Sequence, residues 1–151
     1  MIIREAFITD IQQMHFVRNA VKENVLSNPN LVTEKDYEDY ITIKGKGWVC
    51  EIENNIVGFA IADIQNSNIW ALFVLPAFEK KGIGRKLHDT MLNWYFSQTK
   101  NTVWLSTAPN TSAEIFYRRL GWTEVGMYGT KEIKFEMRFE NWQHKTGTAI
   151  F

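Results

Sequence analysis

One cysteine is all this sequence has. Among its 151 residues Cys50 stands alone, so no intramolecular disulfide can form and no Cys-rich zinc site can be built. Net charge is missing as well, since Lys plus Arg is 17 and Asp plus Glu is 17. A neutral chain lacks the excess positive charge behind nonspecific DNA and acidic-membrane binding, so neither nucleic acid nor a membrane is expected as a partner. Long hydrophobic runs are absent. The longest nearly uncharged stretch, Ile64 through Phe78, contains Gln65, Asn66, Ser67, Asn68 and Pro76 and is too short and too polar to span a bilayer. The opening Met1-Ile2-Ile3-Arg4-Glu5 carries charges where a signal peptide needs an apolar stretch. Together these absences predict a soluble protein of a reducing compartment, cytoplasmic by default. Internal repeats, low-complexity tracts and Gly/Ser-rich linkers are lacking too, so residues 1–151 are expected to form a single domain.

What is present suits a globular fold. Hydrophobic residues make up 45% and charged residues 23%, and six Trp, five Tyr and ten Phe supply apolar area for a compact core. The first six residues read as a strand. Thr9 or Asp10 can cap a helix in which Ile11, Met14, Val17 and Val21 recur at helical spacing. Asn28-Pro29-Asn30 breaks the chain, and Thr33 followed by Asp36 starts a second helix with Tyr37, Tyr40 and Ile41 on one face. From Gly47 the period changes to that of strands: Trp48–Ile52 and Val57–Ile61 flank a turn at 53–55. Ile69 to Val74 is apolar on both faces, as a central strand would be.

Leu87, Met91, Trp94 and Tyr95 then mark a long helix between Gly84 and Ser97. Thr102–Ser106 reads as a strand and Ser112–Leu120 as a helix stopped by Gly121. The last clear strand alternates Ile133, Phe135, Met137 and Phe139 against Lys134, Glu136, Arg138 and Glu140. After Asn141 the signal fades. The order is β-α-α-β-β-β-α-β-α-β-β, a mixed α/β domain.

The most informative stretch is Pro76-Ala77-Phe78-Glu79-Lys80-Lys81-Gly82-Ile83-Gly84-Arg85-Lys86-Leu87. A buried strand runs into a turn with two glycines, and a helix starts at once. Glycines let the backbone turn tightly and aim several N–H groups one way, and a helix N-terminus adds unpaired donors and partial positive charge. That makes an anion site of the kind that holds a pyrophosphate, with Lys80, Lys81, Arg85 and Lys86 around it against Glu79 alone. A P-loop would need Gly-x4-Gly-Lys-Ser/Thr, which is absent, and a dinucleotide fingerprint would need glycine where Leu87 stands. On the glycines alone, a plain tight turn with solvated lysines fits equally well.

A second constellation decides between them. Asn110-Thr111-Ser112-Ala113-Glu114-Ile115-Phe116-Tyr117-Arg118-Arg119-Leu120-Gly121-Trp122 follows about 30 residues later, with a helix and a strand between. Taken with the glycine turn it closely resembles the GCN5-related N-acetyltransferase (GNAT) superfamily. That superfamily carries Gln/Arg-x-x-Gly-x-Gly/Ala after its fourth strand and Asn-x-x-Ala-x-x-Phe-Tyr-x-x-Leu-Gly-Phe/Trp on its last helix. The second pattern is matched at every named position; the first departs at Glu79. The resemblance covers nearly the whole chain. It implies an α/β (α+β) fold with a mixed, mostly antiparallel central sheet flanked by helices, and acyl transfer from acetyl-CoA to an amine without a metal.

The same resemblance implies roles. Backbone groups of Leu72, Phe73 and Val74 would hold the pantetheine arm. The amides of Glu79, Lys80, Lys81, Gly82, Ile83, Gly84 and Arg85 would bind the pyrophosphate, with the Glu79 side chain turned away towards Lys81 or Arg85. Asn110 would touch the cofactor arm, and Tyr117 would point its hydroxyl at the CoA sulfur. A backbone N–H near Phe73 or Val74 can stabilise the oxyanion, and a phenol can return a proton to the leaving thiolate. The bland reading of Tyr117 is a core tyrosine beside Phe116 and Leu120.

Other candidates stay open. Asp63, Glu23 or a water chain could take the proton of the amine. His15, His88 and His144 read as surface or capping histidines, and Cys50 as a small core residue. The acceptor, a small-molecule or protein amine, is expected against the first two helices, near Arg18, Glu23, Asn24, Tyr37 and Tyr40, with Trp70 or Trp104 lining its cleft. A homodimer through the last strand and the tail from Asn141 to Phe151 is also expected. The rival reading is a non-catalytic acyl-CoA-binding module that kept the pocket and lost transfer.

Overall fold

The computed structural model describes residues 1–21 and 32–146, and side chains as far as residue 143. The expected break at Asn28-Pro29-Asn30 lies outside those residues. The chain divides into two compact units, Met1–Tyr95 and Phe96–Phe151.

In the first unit four antiparallel strands stand in the order β1-β2-β3-β4. They are β1 (Ile2–Glu5), β2 (Gly45–Ile52), β3 (Asn55–Asp63) and β4 (Asn68–Val74). The turn between β2 and β3 needs only Glu53 and Asn54, both at positive φ (51° and 66°), the backbone that matches the twist of a two-residue hairpin. Every residue of β3 from Ile56 to Asp63 is buried, which makes β3 the centre of this unit. Asp63 is buried for a local reason: its carboxylate accepts from the Gln65 and Asn66 amides at 3.0 and 3.1 Å and from Asn66 Nδ2 at 2.8 Å, tying the turn into β4.

Helices α1 (Ile11–Ala20) and α2 (Glu34–Asp39) follow the two periodic segments, and α1 packs on β3 and β4. Ile11, Met14 and Val17 are buried, while Val21 falls just past the helix end. Thr33 and Asp36 form a reciprocal capping box at the start of α2. Asp10 differs from expectation. Its carboxylate makes no cap bond to α1; it accepts from the Phe7 amide at 2.7 Å and closes a 3-10 turn over Ile8–Asp10. A π-helical turn, Tyr40–Lys44, then delivers the chain to β2. Ile11, Met14, Val17, Tyr37, Ile41, Val49, Phe59, Ile61 and Ala71 form one apolar cluster, each large member contributing roughly 1.5–3 kcal/mol on burial.

Helix α3 (Ile83–Gln98) crosses from the first unit into the second. The second unit holds β5 (Val103–Thr107), α4 (Ser112–Arg119), β6 (Thr123–Tyr128), β7 (Glu132–Met137) and α5 (Phe139–Thr146), with strand order β5-β7-β6, all antiparallel. The alternation of β7 holds: Ile133, Phe135 and Met137 are buried. It stops sooner than expected. Phe139 and Glu140 open α5 rather than extending the strand, because Phe139 and Trp142, three apart, both set their rings against Phe96 (centroids 5.7 and 6.4 Å). The fold is thus mixed α/β, with antiparallel strands and flanking helices, and carries one more helix than the sequence pattern indicates.

Candidate active site

The glycine turn is built by three devices. After β4, Pro76–Phe78 makes one 3-10 turn, in which the Phe78 amide donates to the Leu75 carbonyl at 2.8 Å. Lys80 and Gly82 then adopt left-handed backbone, φ 61° and 83°, which swings successive N–H groups to one side. Finally α3 begins, and the Lys86 amide is the first to bond back, to the Gly82 carbonyl at 3.1 Å. The amides of Ile83, Gly84 and Arg85 therefore precede any helical acceptor. A Cβ on Gly82 would meet no atom within 4 Å, so the space beside Gly82 is open. Lys80, Lys81, Arg85 and Lys86 are exposed around it.

Glu79 departs from the expected picture twice. Its amide donates to the Pro76 carbonyl at 3.3 Å, which leaves it out of the donor set. Its side chain makes no ion pair with Lys81 or Arg85: Arg85 pairs with Asp89 at 3.6 Å, and the Lys81 ammonium lies over the Phe78 ring.

Leu72, Phe73 and Val74 close β4 opposite Ala60, Phe59 and Gly58 of β3, and all three are half-buried. The strand carries a bulge just upstream. Ala62 faces Ile69 and Ile61 faces Ala71, so Trp70 is the extra residue between them. The bulge turns Trp70 onto the same face as Ala71, Phe73 and Leu75, towards α1 and α2. This face is aromatic. Tyr40 stacks on Trp70 (4.1 Å, 15°), Tyr37 meets its edge at 5.4 Å, and the Arg18 guanidinium lies 4.3 Å over the Phe73 ring. Tyr37 also bonds His15 Nδ1 at 2.9 Å, and burial pushes its phenol up to about 12.

In the second unit, Asn110 turns the chain into α4 with φ 62°. Its amide donates to Glu114 Oε1 at 2.8 Å, while Thr111 caps the helix by accepting from the Glu114 amide at 3.3 Å. Tyr117 is buried, its ring held by Phe116, Trp122 and Phe135 at 5.2, 5.7 and 6.4 Å. Burial pushes its phenol well above the ordinary range. No hydrogen bond to that hydroxyl occurs among the described residues, and none of their buried side-chain polar atoms lacks a partner. The core position expected of a bland tyrosine is present.

An acetyltransferase (GNAT) family model matches residues 15–122, from α1 to the end of the α4 motif. The chain belongs to the GNAT acetyltransferase family. A [ribosomal protein bS18]-alanine N-acetyltransferase of Haemophilus influenzae is 30% identical over 77 residues, covering 49% of this chain and 53% of the relative. The chain thus spans about half the length of the curated relative it matches. Among solved structures, the ribosomal-protein-S18-alanine N-acetyltransferase of Escherichia coli superposes with a TM-score of 0.73 at 16% identity, over 91% of this chain and 93% of that one. The PaiA N-acetyltransferase of Thermoplasma acidophilum, solved in complex with coenzyme A, gives 0.78 at 15% identity, over 91% and 98%. At such identities these structures establish the GNAT fold.

Several sequence candidates leave the GNAT site. Asp63 is committed to its turn. Cys50 is buried with its thiol pushed up by that burial, as expected of a core residue. His88 is neither at the surface nor a cap; it is fully buried on α3, its Nδ1 2.9 Å from Asp89. Trp104 packs on Tyr128 at 5.1 Å. Glu23, Asn24 and the side chain of His144 lie outside the described residues. The signal that sequence reasoning missed is the Trp70 bulge, since an extra residue in a strand leaves no mark in an all-apolar run. No cluster of metal-ligating side chains occurs among the described residues, and none of their helices is long and apolar enough to cross a membrane.

Proposed function

We propose that this protein is an acetyl-CoA-dependent N-acetyltransferase that moves the acetyl group to a primary amine by direct attack in a ternary complex. The observation that carries this reading is Tyr117, a phenol with a packed ring and no hydrogen bond to its hydroxyl among the described residues, on a helix that matches the family motif at every named position. In this reading the amides of Lys80 through Arg85 hold the pyrophosphate against the open side of Gly82. Leu72 to Val74 align the pantetheine arm through their backbone, and Asn110 steadies it. An N–H near Phe73 or Val74 receives the negative charge that grows on the carbonyl oxygen as the amine attacks.

Tyr117 gives its proton to the departing sulfur. Its raised pKa keeps it protonated at neutral pH, and the thiolate, leaving into the same water-poor space, has its own pKa raised by the same desolvation. With Asp63 engaged elsewhere, the proton of the amine leaves to Glu23 or a water chain. The acceptor is a small-molecule or protein amine; the relative that acts on a ribosomal protein alanine supports an amine as such. The single-domain reading is retained, because the family match crosses from one unit to the other. A homodimer belongs to it as well: β6 is exposed along its whole length, including Val125, Met127 and Tyr128, and offers a second copy an open strand edge. The buried free thiol of Cys50 suits the reducing cytoplasm.

Tyr117→Phe is expected to lower kcat by roughly 10²–10⁴-fold while acetyl-CoA affinity, read by calorimetry, stays within a few-fold. Unchanged turnover would remove Tyr117 from the mechanism. Acetyl-CoA binding without thiol release on any amine would favour the non-catalytic module, for which the lack of a carboxylate on β4, Asn68–Val74, is the supporting observation.

A further inference from the structure

Helices α1 and α2 flank a small cleft. Ile11, Gln12, His15, Glu34 and Tyr37 line it, and its volume is about 180 Å³, below the roughly 300–1,000 Å³ of sites that take drug-sized ligands. It has room for one side chain or alkyl group, not for a nucleotide. The floor is apolar, since Ile11 and Tyr37 are both buried. His15 is fixed there: its Nδ1 lies 2.9 Å from the Tyr37 hydroxyl, and the two rings meet edge to face at 5.5 Å. Glu34 is the one carboxylate of the cleft. It is exposed, and it makes no hydrogen bond or ion pair among the described residues. Its neighbours on α2 do not neutralise it, because Lys35 pairs with Asp39 at 3.1 Å and Asp36 accepts from the Thr33 amide at 2.8 Å. A carboxylate beside an apolar floor suits a cation on an alkyl stem, the stem against Ile11 and Tyr37 and the charge at Glu34.

We propose that this cleft is a specificity site that holds a second, non-reacting cation of the acceptor, an ammonium or guanidinium on an alkyl stem, with Glu34 as its counter-charge. This rests on the acetyltransferase reading, which puts the reacting carbonyl at Phe73 and Val74. The two places are close in the first unit. The Tyr37 ring lies 6.2 Å from Phe59, and Phe59 lies 5.8 Å from Phe73. On α1, His15 is one turn before Arg18, whose Cζ is 4.3 Å from the centre of the Phe73 ring. An acceptor that reaches from the cleft to the thioester therefore spans two ring contacts, the length of a chain of several carbons. The charges are ordered to match. The attacking amine must be neutral, and the positive charge of Arg18 at that end favours the neutral form. The cation that stays charged meets Glu34 at the other end. A plain monoamine forgoes this second contact, and an acceptor with a carboxylate in place of the cation meets like charge at Glu34.

The test uses two pairs of amines. Agmatine and heptylamine each have one reactive amine and nearly the same length, and only agmatine carries a cation at its far end. Alanylarginine and alanylnorleucine make the same comparison in a peptide. Thiol release with the cationic member should show a kcat/KM about threefold to fivefold higher, the upper end for an exposed charge pair, chiefly through KM, and the advantage should shrink as salt is raised. A preference in the first pair alone assigns the cleft to free alkylamines, and one in the second pair alone assigns it to peptides; either upholds it. Glu34→Gln should bring the ratio to one, Glu34→Lys should invert it, and Glu34→Asp should keep part of it. An acidic residue in a first turn also favours its helix, but a purely structural role would change all four amines alike and leave the ratios as they are. Acetyl-CoA affinity by calorimetry confirms that each variant is folded. In parallel, tryptophan fluorescence of the CoA-loaded protein is titrated with the same four compounds, Trp70 lying 5.4 Å from Tyr37. If none of the four is acetylated, the acetyltransferase reading fails for this class of acceptor, and the titration decides the cleft by itself: cation-dependent binding lost in Glu34→Gln upholds it as a cation site. Equal handling within both pairs, ratios unchanged in Glu34→Gln, or binding of none of the four overturns it.

Discussion

Arg4 joins three pieces of chain with one guanidinium. It donates to both carboxylate oxygens of Asp10 at 2.8 and 2.9 Å, to Glu51 of β2 at 2.8 Å, and to the Glu5 carbonyl at 2.9 Å. The Arg4 bonds hold the Asp10 carboxyl below its ordinary pKa, and the bond from the Phe7 amide adds to the effect. A carboxyl depressed in the folded state is protonated first in the unfolded state as pH falls. Its contribution is therefore complete above the ordinary aspartate range, about 4, and is lost as pH drops through the depressed value. Asp10→Asn is expected to cost about 1–3 kcal/mol at pH 7 and less at pH 3, so urea midpoints of variant and wild type should converge in acid. A gap that stays constant with pH would contradict this. Gly82 is the second residue whose chemistry is local. Its φ of 83° costs a side chain about 1–2 kcal/mol, although a Cβ there would meet no atom within 4 Å. Gly82→Ala should weaken acetyl-CoA binding by roughly tenfold, about 1.4 kcal/mol, in calorimetry, with a much smaller effect on kcat at saturation.

Between elements, contact distance matters more than propensity. Gly45 opens β2 with extended backbone (φ −173°), so its backbone would admit any residue. Space would not: a Cβ there would sit 1.7 Å from the Ala62 carbonyl oxygen of β3. Gly45→Ala must push two backbones apart, and we expect a loss of about 2–3 kcal/mol, read as a fall of several degrees in Tm. Nothing in the sequence marks that glycine, because close approach is a property of the partner strand. The same distinction explains what was legible. The periods of α1, α2, α3 and α4 and the β2–β3 hairpin are written locally, as are the glycine turn and the α4 motif. The end of β7 was not, because Phe139 fits both an alternating strand and a helix with Trp142 at i+3, and only the Phe96 ring decides. His88 looked like a surface residue for the same reason, since its burial depends on what covers α3 rather than on its neighbours in sequence. The Trp70 bulge was hidden by the uniform hydrophobicity that made β4 easy to find.

For the molecule as a whole, zero net charge is an average. Lys80, Lys81, Arg85 and Lys86 gather at the one turn with unpaired helix amides, which the total cannot show. The division into Met1–Tyr95 and Phe96–Phe151 raises the question of whether the chain unfolds in one step or two. The second unit, at under about 60 residues, is of a size that buries only about 60% of its unfolded surface and is marginal alone. It holds three strands, and β6 is exposed throughout. Moreover α3 runs across the boundary, so melting either unit frays a helix whose Leu87, Met91, Leu92 and Tyr95 are fully buried. One cooperative transition is therefore expected. The tryptophans allow the check, because Trp48, Trp70 and Trp94 belong to the first unit and Trp104, Trp122 and Trp142 to the second. Tryptophan fluorescence of variants that keep one unit's set, followed in urea alongside far-UV circular dichroism, should give coincident midpoints for both sets. Acetyl-CoA should move both together by mass action. Midpoints that separate, or a ligand that shifts one set alone, would show two domains where one is proposed.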